Sequence, residues 1–74
     1  MERRHSYKGF VIEAHPYELG ENLGWKTKVC IEKHDGSGVN ATEFFLSTIF
    51  PSKDEAITGA VEAGKGKIDA AVPA

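Results

Sequence analysis

The stretch Pro51-Ser52-Lys53-Asp54-Glu55-Ala56-Ile57 marks a helix start and divides the chain in two: the residues before it read as strands, those after it as one helix. Ser52 is placed to accept a hydrogen bond from a first-turn backbone N–H, and Glu55 is placed to reach back to the Ser52 N–H. Acidic Asp54 and Glu55 suit the positive end of the helix dipole. From Lys53 to Asp69 one face is apolar. At about 100° per residue, Ile57, Val61, Gly64 and Ile68 cluster, and Ala56 and Ala60 extend the stripe. Thr58, Glu55, Glu62 and Asp69 lie opposite, while Lys65 and Lys67 fall in the last turns, where positive charge suits the dipole. Gly59, Gly64 and Gly66 each cost about 1 kcal/mol relative to alanine, so packing on a sheet must hold this helix.

Three strands are expected ahead of it. Tyr7 to His15 alternates, with Phe10, Ile12 and Ala14 on one side and Val11, Glu13 and His15 on the other. Pro16 is expected to end that strand, since proline cannot donate to a ladder, and Pro16 to Gly24 reads as a loop. Trp25 to Lys33 alternates most clearly: Trp25, Thr27, Val29 and Ile31 face one way, Lys26, Lys28, Cys30 and Glu32 the other. That is the pattern of an antiparallel sheet covered on one face. His34-Asp35-Gly36-Ser37-Gly38 reads as a hairpin turn, because Asp-Gly supplies the positive φ values a tight connection needs. Val39 to Leu46 is the third strand, in which Phe44 and Phe45 cannot both enter one core. Ile49 and Phe50 are expected to plug the sheet–helix junction, with a short extra strand or 3₁₀ turn around Leu46–Phe50 as the alternative.

The predicted fold is therefore α+β: a three-stranded antiparallel meander followed by one C-terminal helix packed on one face. The predicted core is Trp25, Val29, Ile31, Phe10, Ile12, Ile57, Val61 and Ile68. Seventy-four residues make one small domain, which buries only roughly 60% of its unfolded surface and leaves little room for a deep pocket. Its ordered part is expected over about 7–69, with the first six residues frayed and the last five outside the fold. A net charge of −2 gives no electrostatic reason to expect nucleic acid or an anionic membrane as partner. The single cysteine, Cys30, excludes an intramolecular disulfide. With no long apolar run for a signal peptide or membrane span, a cytoplasmic setting is expected.

Tyr7-Lys8-Gly9-Phe10, Gly24-Trp25 and the run Phe50-Pro51-Ser52-Lys53-Asp54-Glu55-Ala56-Ile57 ahead of a glycine-rich helix resemble short bacterial proteins of uncharacterised function. The resemblance covers most of the chain. It implies the fold and a bacterial cytoplasmic origin, and it carries over no functional residue.

No constellation for catalysis stands out. Gly59-Ala60-Val61-Glu62-Ala63-Gly64-Lys65-Gly66 comes within one residue of the phosphate-binding loop pattern. Gly66 replaces the hydroxyl that would hold Mg²⁺, and the stretch falls inside the helix rather than in a loop. His5, His15, His34 and Cys30 lack the close paired spacing of a zinc site, so no metal and no cofactor are expected. Cys30 reads as a half-buried structural thiol, with Lys26 and Lys28 on its side slightly favouring the thiolate. Ser37, His34 and Asp35 are turn residues with no oxyanion scaffold behind them. Glu13, Glu32 and Glu43 read as solvated carboxylates of a sheet face rather than an acid/base pair.

What is left is the sheet face that one helix cannot cover. It is expected to carry Lys26, Lys28, Cys30 and Glu32, joined by Val11, Glu13 and one of Phe44 or Phe45. The first reading is a non-enzymatic protein-interaction or regulatory module using this face or an edge strand, with a protein partner or a second copy. The second is a nucleic-acid binder using the basic centre of the same face. A basic stripe continuous with Arg3, Arg4 and Lys8 would favour nucleic acid; a mixed apolar patch would favour protein.

Overall fold

A computed structural model describes residues 3–36 and 38–71. It contains four strands and one helix: β1 (Arg4–Tyr7), β2 (Phe10–Glu18), β3 (Trp25–Asp35), β4 (Gly38–Phe45) and α1 (Lys53–Ala71). The strands form one antiparallel sheet in the order β1-β2-β3-β4, and α1 packs across β2 and β3. The α+β class, the antiparallel meander and the single C-terminal helix are as expected. The strand count is not.

The additional strand comes from Tyr7-Lys8-Gly9-Phe10. Lys8 and Gly9 both adopt positive φ, 51° and 84°, and Tyr7 pairs with Phe10. This is a two-residue hairpin turn whose backbone twist matches that of the strands it joins. Residues expected to fray, Arg4 to Ser6, therefore form most of β1, pairing with Val11 to Glu13. Residues 1 and 2, also expected to fray, lie outside the described part.

Pro16 does not end β2, which continues to Glu18 with Pro16 opposite Thr27. Ala14 donates its N–H outward to the Arg3 carbonyl at 2.8 Å. Alternate residues of a strand address the same neighbour, so position 16 would also aim its N–H outward, past the end of β1. A missing donor costs nothing there.

The β3–β4 hairpin forms, but its turn is tighter than expected: His34 and Asp35 extend β3 and Gly38 opens β4, with Asp35 opposite Gly38; Ser37 lies outside the described residues. Beyond β4, Phe50 exchanges backbone hydrogen bonds with Trp25 at 2.8 and 2.7 Å, a single bridge rather than a strand. The Phe50 ring packs on Gly59 at the sheet–helix junction, whereas Ile49 is largely exposed and lies over Gly24 rather than on the helix.

The helix begins where the capping signal predicts, and Ser52 Oγ accepts the Glu55 N–H at 3.2 Å as expected. The Glu55 carboxylate accepts the Ser52 hydroxyl at 3.3 Å, where the Ser52 backbone N–H was expected. α1 runs past Asp69 to Ala71, so Ala70 and Ala71 belong to the fold, while residues 72–74 lie outside the described part. The last turn then holds no basic residue. Lys65 and Lys67 stand further back than expected because the helix is longer.

Ile12, Ala14, Val29 and Ile31 from the sheet meet Ile57, Ala60 and Ile68 from the helix, with Tyr7, Phe10, Phe44 and Leu46 around them. Two expected core residues fall outside this cluster. The buried helical arc, Ala56, Ala60, Gly64, Ile57 and Ile68, is centred near Gly64, which places Val61 on its margin, half-buried. Trp25, also half-buried, stands at the end of the sheet beside Glu18 and Phe50. Gly64 lets the helix approach closely: a Cβ there would sit 2.6 Å from Ile12 Cγ2.

Candidate functional site

The register builds the open face row by row, because residues opposite one another in antiparallel strands share a face. One row runs Arg4, Glu13, Cys30, Glu43 across all four strands. On one side of it lies Ser6, Val11, Glu32, Ala41; on the other, His15, Lys28, Phe45, and then Tyr17 opposite Lys26. All six residues expected on this face, Lys26, Lys28, Cys30, Glu32, Val11 and Glu13, are brought together on it. Phe45 is the outward ring of its pair at 69% exposure, and Phe44 turns to the core.

The carboxylates of the face are engaged. Glu13 takes Arg4 Nε at 3.6 Å and His15 Nε2 at 2.8 Å. Glu43 holds Lys28 Nζ at 3.2 Å, and Glu32 lies 3.5 Å from His34 Nε2. Among the described residues of the face, the three cations Arg4, Lys26 and Lys28 equal in number the three carboxylates Glu13, Glu32 and Glu43, and Arg4 and Lys28 are ion-paired with Glu13 and Glu43. These pairs are partly exposed and contribute little stability each. Their consequence is electrostatic: carboxylates interrupt any basic stripe. Lys8, which would have extended such a stripe, is turned to the other side, where it binds Asp69 at 2.7 Å.

Cys30 is more buried than expected, at 8% exposure. Its thiol pKa is raised, first by burial and then by Glu32, Glu43 and Glu13, with Lys28 opposing. Lys28 favours the thiolate, as expected, but burial first and then the carboxylates of Glu32, Glu43 and Glu13 outweigh it. A protonated, enclosed thiol is a poor nucleophile.

The other chemistry-bearing residues do not converge. The Gly59–Gly66 stretch is interior to α1, where its N–H groups serve the helix. His5 is exposed on β1, opposite Ile12. His34 lies beside Glu32, its Nε2 3.5 Å from the carboxylate. No group of three or more His, Cys, Asp or Glu among the described residues is placed to hold a metal. Hollows indent the surface of the described residues, one of about 210 Å³ beside Arg3, Arg4 and His15, another of about 190 Å³ between Phe10, Thr42 and Lys67. Both fall short of the ~300–1,000 Å³ of ordinary small-molecule sites.

Sequence reasoning missed Tyr17 and Val39, while β4 is one of the edge strands it offered. Tyr17 is 40% exposed and Val39 56%. Tyr17 was hidden by ending β2 at Pro16; once the strand continues, alternation puts it on the open face. No family model, curated protein or solved structure matches this chain. Among the described residues no helix is long and apolar enough to cross a membrane.

Proposed function

We propose that this is a small non-enzymatic interaction module that binds a protein partner through the uncovered face of its sheet. The observation that carries the reading is the make-up of that face: exposed Tyr17, Phe45 and Val39 set among charges that neutralise one another. Exposed aromatics beside satisfied ion pairs suit a protein surface, which offers apolar area and mixed charge together.

A second reading, single-stranded nucleic acid, draws support from Tyr17 and Phe45 flanking Lys26 and Lys28, since bases stack on aromatics beside cations. Against it stand the engaged lysine at 28, the Glu13 and Glu43 carboxylates in the adjoining row and the net charge of −2. Few phosphates could be neutralised, so binding would be weak with a shallow salt dependence.

The test is affinity capture with the wild-type chain and with Tyr17→Ser and Lys26→Glu, and then titration of the captured protein. Both substitutions sit on exposed or half-exposed positions and leave the core untouched. A partner held in stoichiometric amount by wild type, with affinity reduced in both variants, is the expected result. Submicromolar binding to RNA or DNA near physiological salt, lost on replacing Lys26 and Lys28, would overturn it in favour of nucleic acid.

A further inference from the structure

The two edges of the sheet are treated differently. On the β1 side the edge strand has four residues and carries Arg4, and the overhang of β2 beyond it is blocked by Pro16. Short edges, charge and proline are the usual guards against pairing with another chain. β4 has eight residues, no proline, no lysine, and a single charge at Glu43. Its outer edge has no strand beside it among the described residues.

The hydrogen-bond phase says which residues face out. Leu46 donates to Thr27, so the even positions of β4 address β3 and Val39, Ala41, Glu43 and Phe45 aim their N–H and C=O groups away from the sheet. The same four side chains lie on the open face, and Val39 and Phe45 are 56% and 69% exposed.

We propose that β4 pairs antiparallel with β4 of a second copy about a two-fold axis at Thr42, joining the two sheets into one. This rests on the binding surface proposed above and names its occupant at the β4 border. The register comes from self-complementarity. An axis at Thr42 sets Val39 opposite Phe45 of the second copy, Ala41 opposite Glu43, and Thr42 opposite itself, and apolar and Thr–Thr pairs of this kind are favourable. An axis at Glu43 would oppose two like charges, and one at Ala41 would carry Phe45 beyond the Gly38 end of the other strand. An axis between residues would oppose outward-facing with inward-facing backbone groups. There is room: α1 lies over β2 and β3, so at ~4.8 Å per strand the two helices stand roughly 19 Å apart, well clear of their ~10 Å diameters.

Sedimentation equilibrium of the full chain across a micromolar-to-millimolar range, with amide exchange monitored by NMR, tests the pairing. The mass should double with concentration, and the Val39, Ala41, Glu43 and Phe45 amides should become protected as it does. Ala41→Pro removes one outward N–H per copy and no bond to β3; it should weaken association about tenfold or more and keep a native spectrum. In a Cys30→Ala background, Thr42→Cys should form an intermolecular disulfide on mild oxidation. Val39→Cys should not, its two copies lying about 20 Å apart at ~3.3 Å per residue. A chain that stays monomeric, a dimer whose outward β4 amides exchange freely, or equal cross-linking at both positions would overturn the pairing. A monomer would leave the open-face reading to its own Tyr17 and Lys26 titrations, since those residues lie on the side of the face away from β4.

Discussion

Ser52 and Gly64 are single positions at which one side chain, or its absence, decides a local outcome. Ser52 satisfies a first-turn amide, so Ser52→Ala should cost about 1 kcal/mol, read as a lower denaturation midpoint at unchanged slope. At Gly64 a methyl group would come 2.6 Å from Ile12 Cγ2. Gly64→Ala therefore sets the gain in helix propensity, about 1 kcal/mol, against overpacking of about 1–3 kcal/mol. Overpacking wins, because Ile12 is fully buried and has nowhere to retreat; the variant should be less stable than wild type in urea. Its capping box made Ser52 legible in the sequence. The role of Gly64 was legible only as a small-residue stripe, since the stripe does not say which strand residue it meets.

Elements explain what the sequence reading lost and what holds the fold's ends together. Alternation located β2 and β3 because each has a buried row, and β4, exposed except at half-buried Phe44, followed from the Asp35-Gly36 turn ahead of it; β1 lies at an edge, with Arg4, His5 and Ser6 exposed and no apolar period to show it. Its signal was the Lys8-Gly9 turn. Pro16 misled because the rule against proline in strands concerns the hydrogen-bonded side, which sequence does not display. The Lys8-Gly9 turn also anchors the helix end. Asp69, at the negative end of α1, would be unfavourable alone. It accepts the Lys8 ammonium at 2.7 Å and the Tyr7 hydroxyl at 3.0 Å. The Lys8 ammonium, then the Tyr7 hydroxyl, hold the Asp69 carboxyl below its ordinary range. The folded chain thus binds fewer protons there than the unfolded one, so this contribution is complete above the ordinary carboxylate pKa and is lost as pH falls through the lowered one. Asp69 in turn raises the Lys8 pKa, so that contribution is complete below the ordinary lysine value and is lost as pH rises through the raised one. Asp69→Asn should flatten both limbs of the stability–pH curve. Limbs unchanged in that variant would show that the contact does not couple to folding.

At the scale of the whole molecule, the sheet has one dry side and one wet side, and the sequence alternation foretold both. It did not foretell how unequal the two would be. The helix-facing side concentrates Ile12, Ala14, Val29 and Ile31 under α1, whereas the large apolar groups of the open side are spread singly at Tyr17, Val39 and Phe45. A domain of this length has a total stability of only about 4–11 kcal/mol at ~0.05–0.15 kcal/mol per residue. Ile12→Ala, at a fully buried site touching the helix, should remove about 2–5 kcal/mol, enough to leave a large unfolded population at modest temperature. Phe45→Ala removes a larger side chain, yet 69% of that residue is already in water, so it should change stability by about 0.5 kcal/mol or less. Urea denaturation at a concentration low enough to keep the chain monomeric makes the comparison. If Phe45→Ala were as costly as Ile12→Ala there, Phe45 would belong to the core of the single copy and could not serve as a surface for anything else.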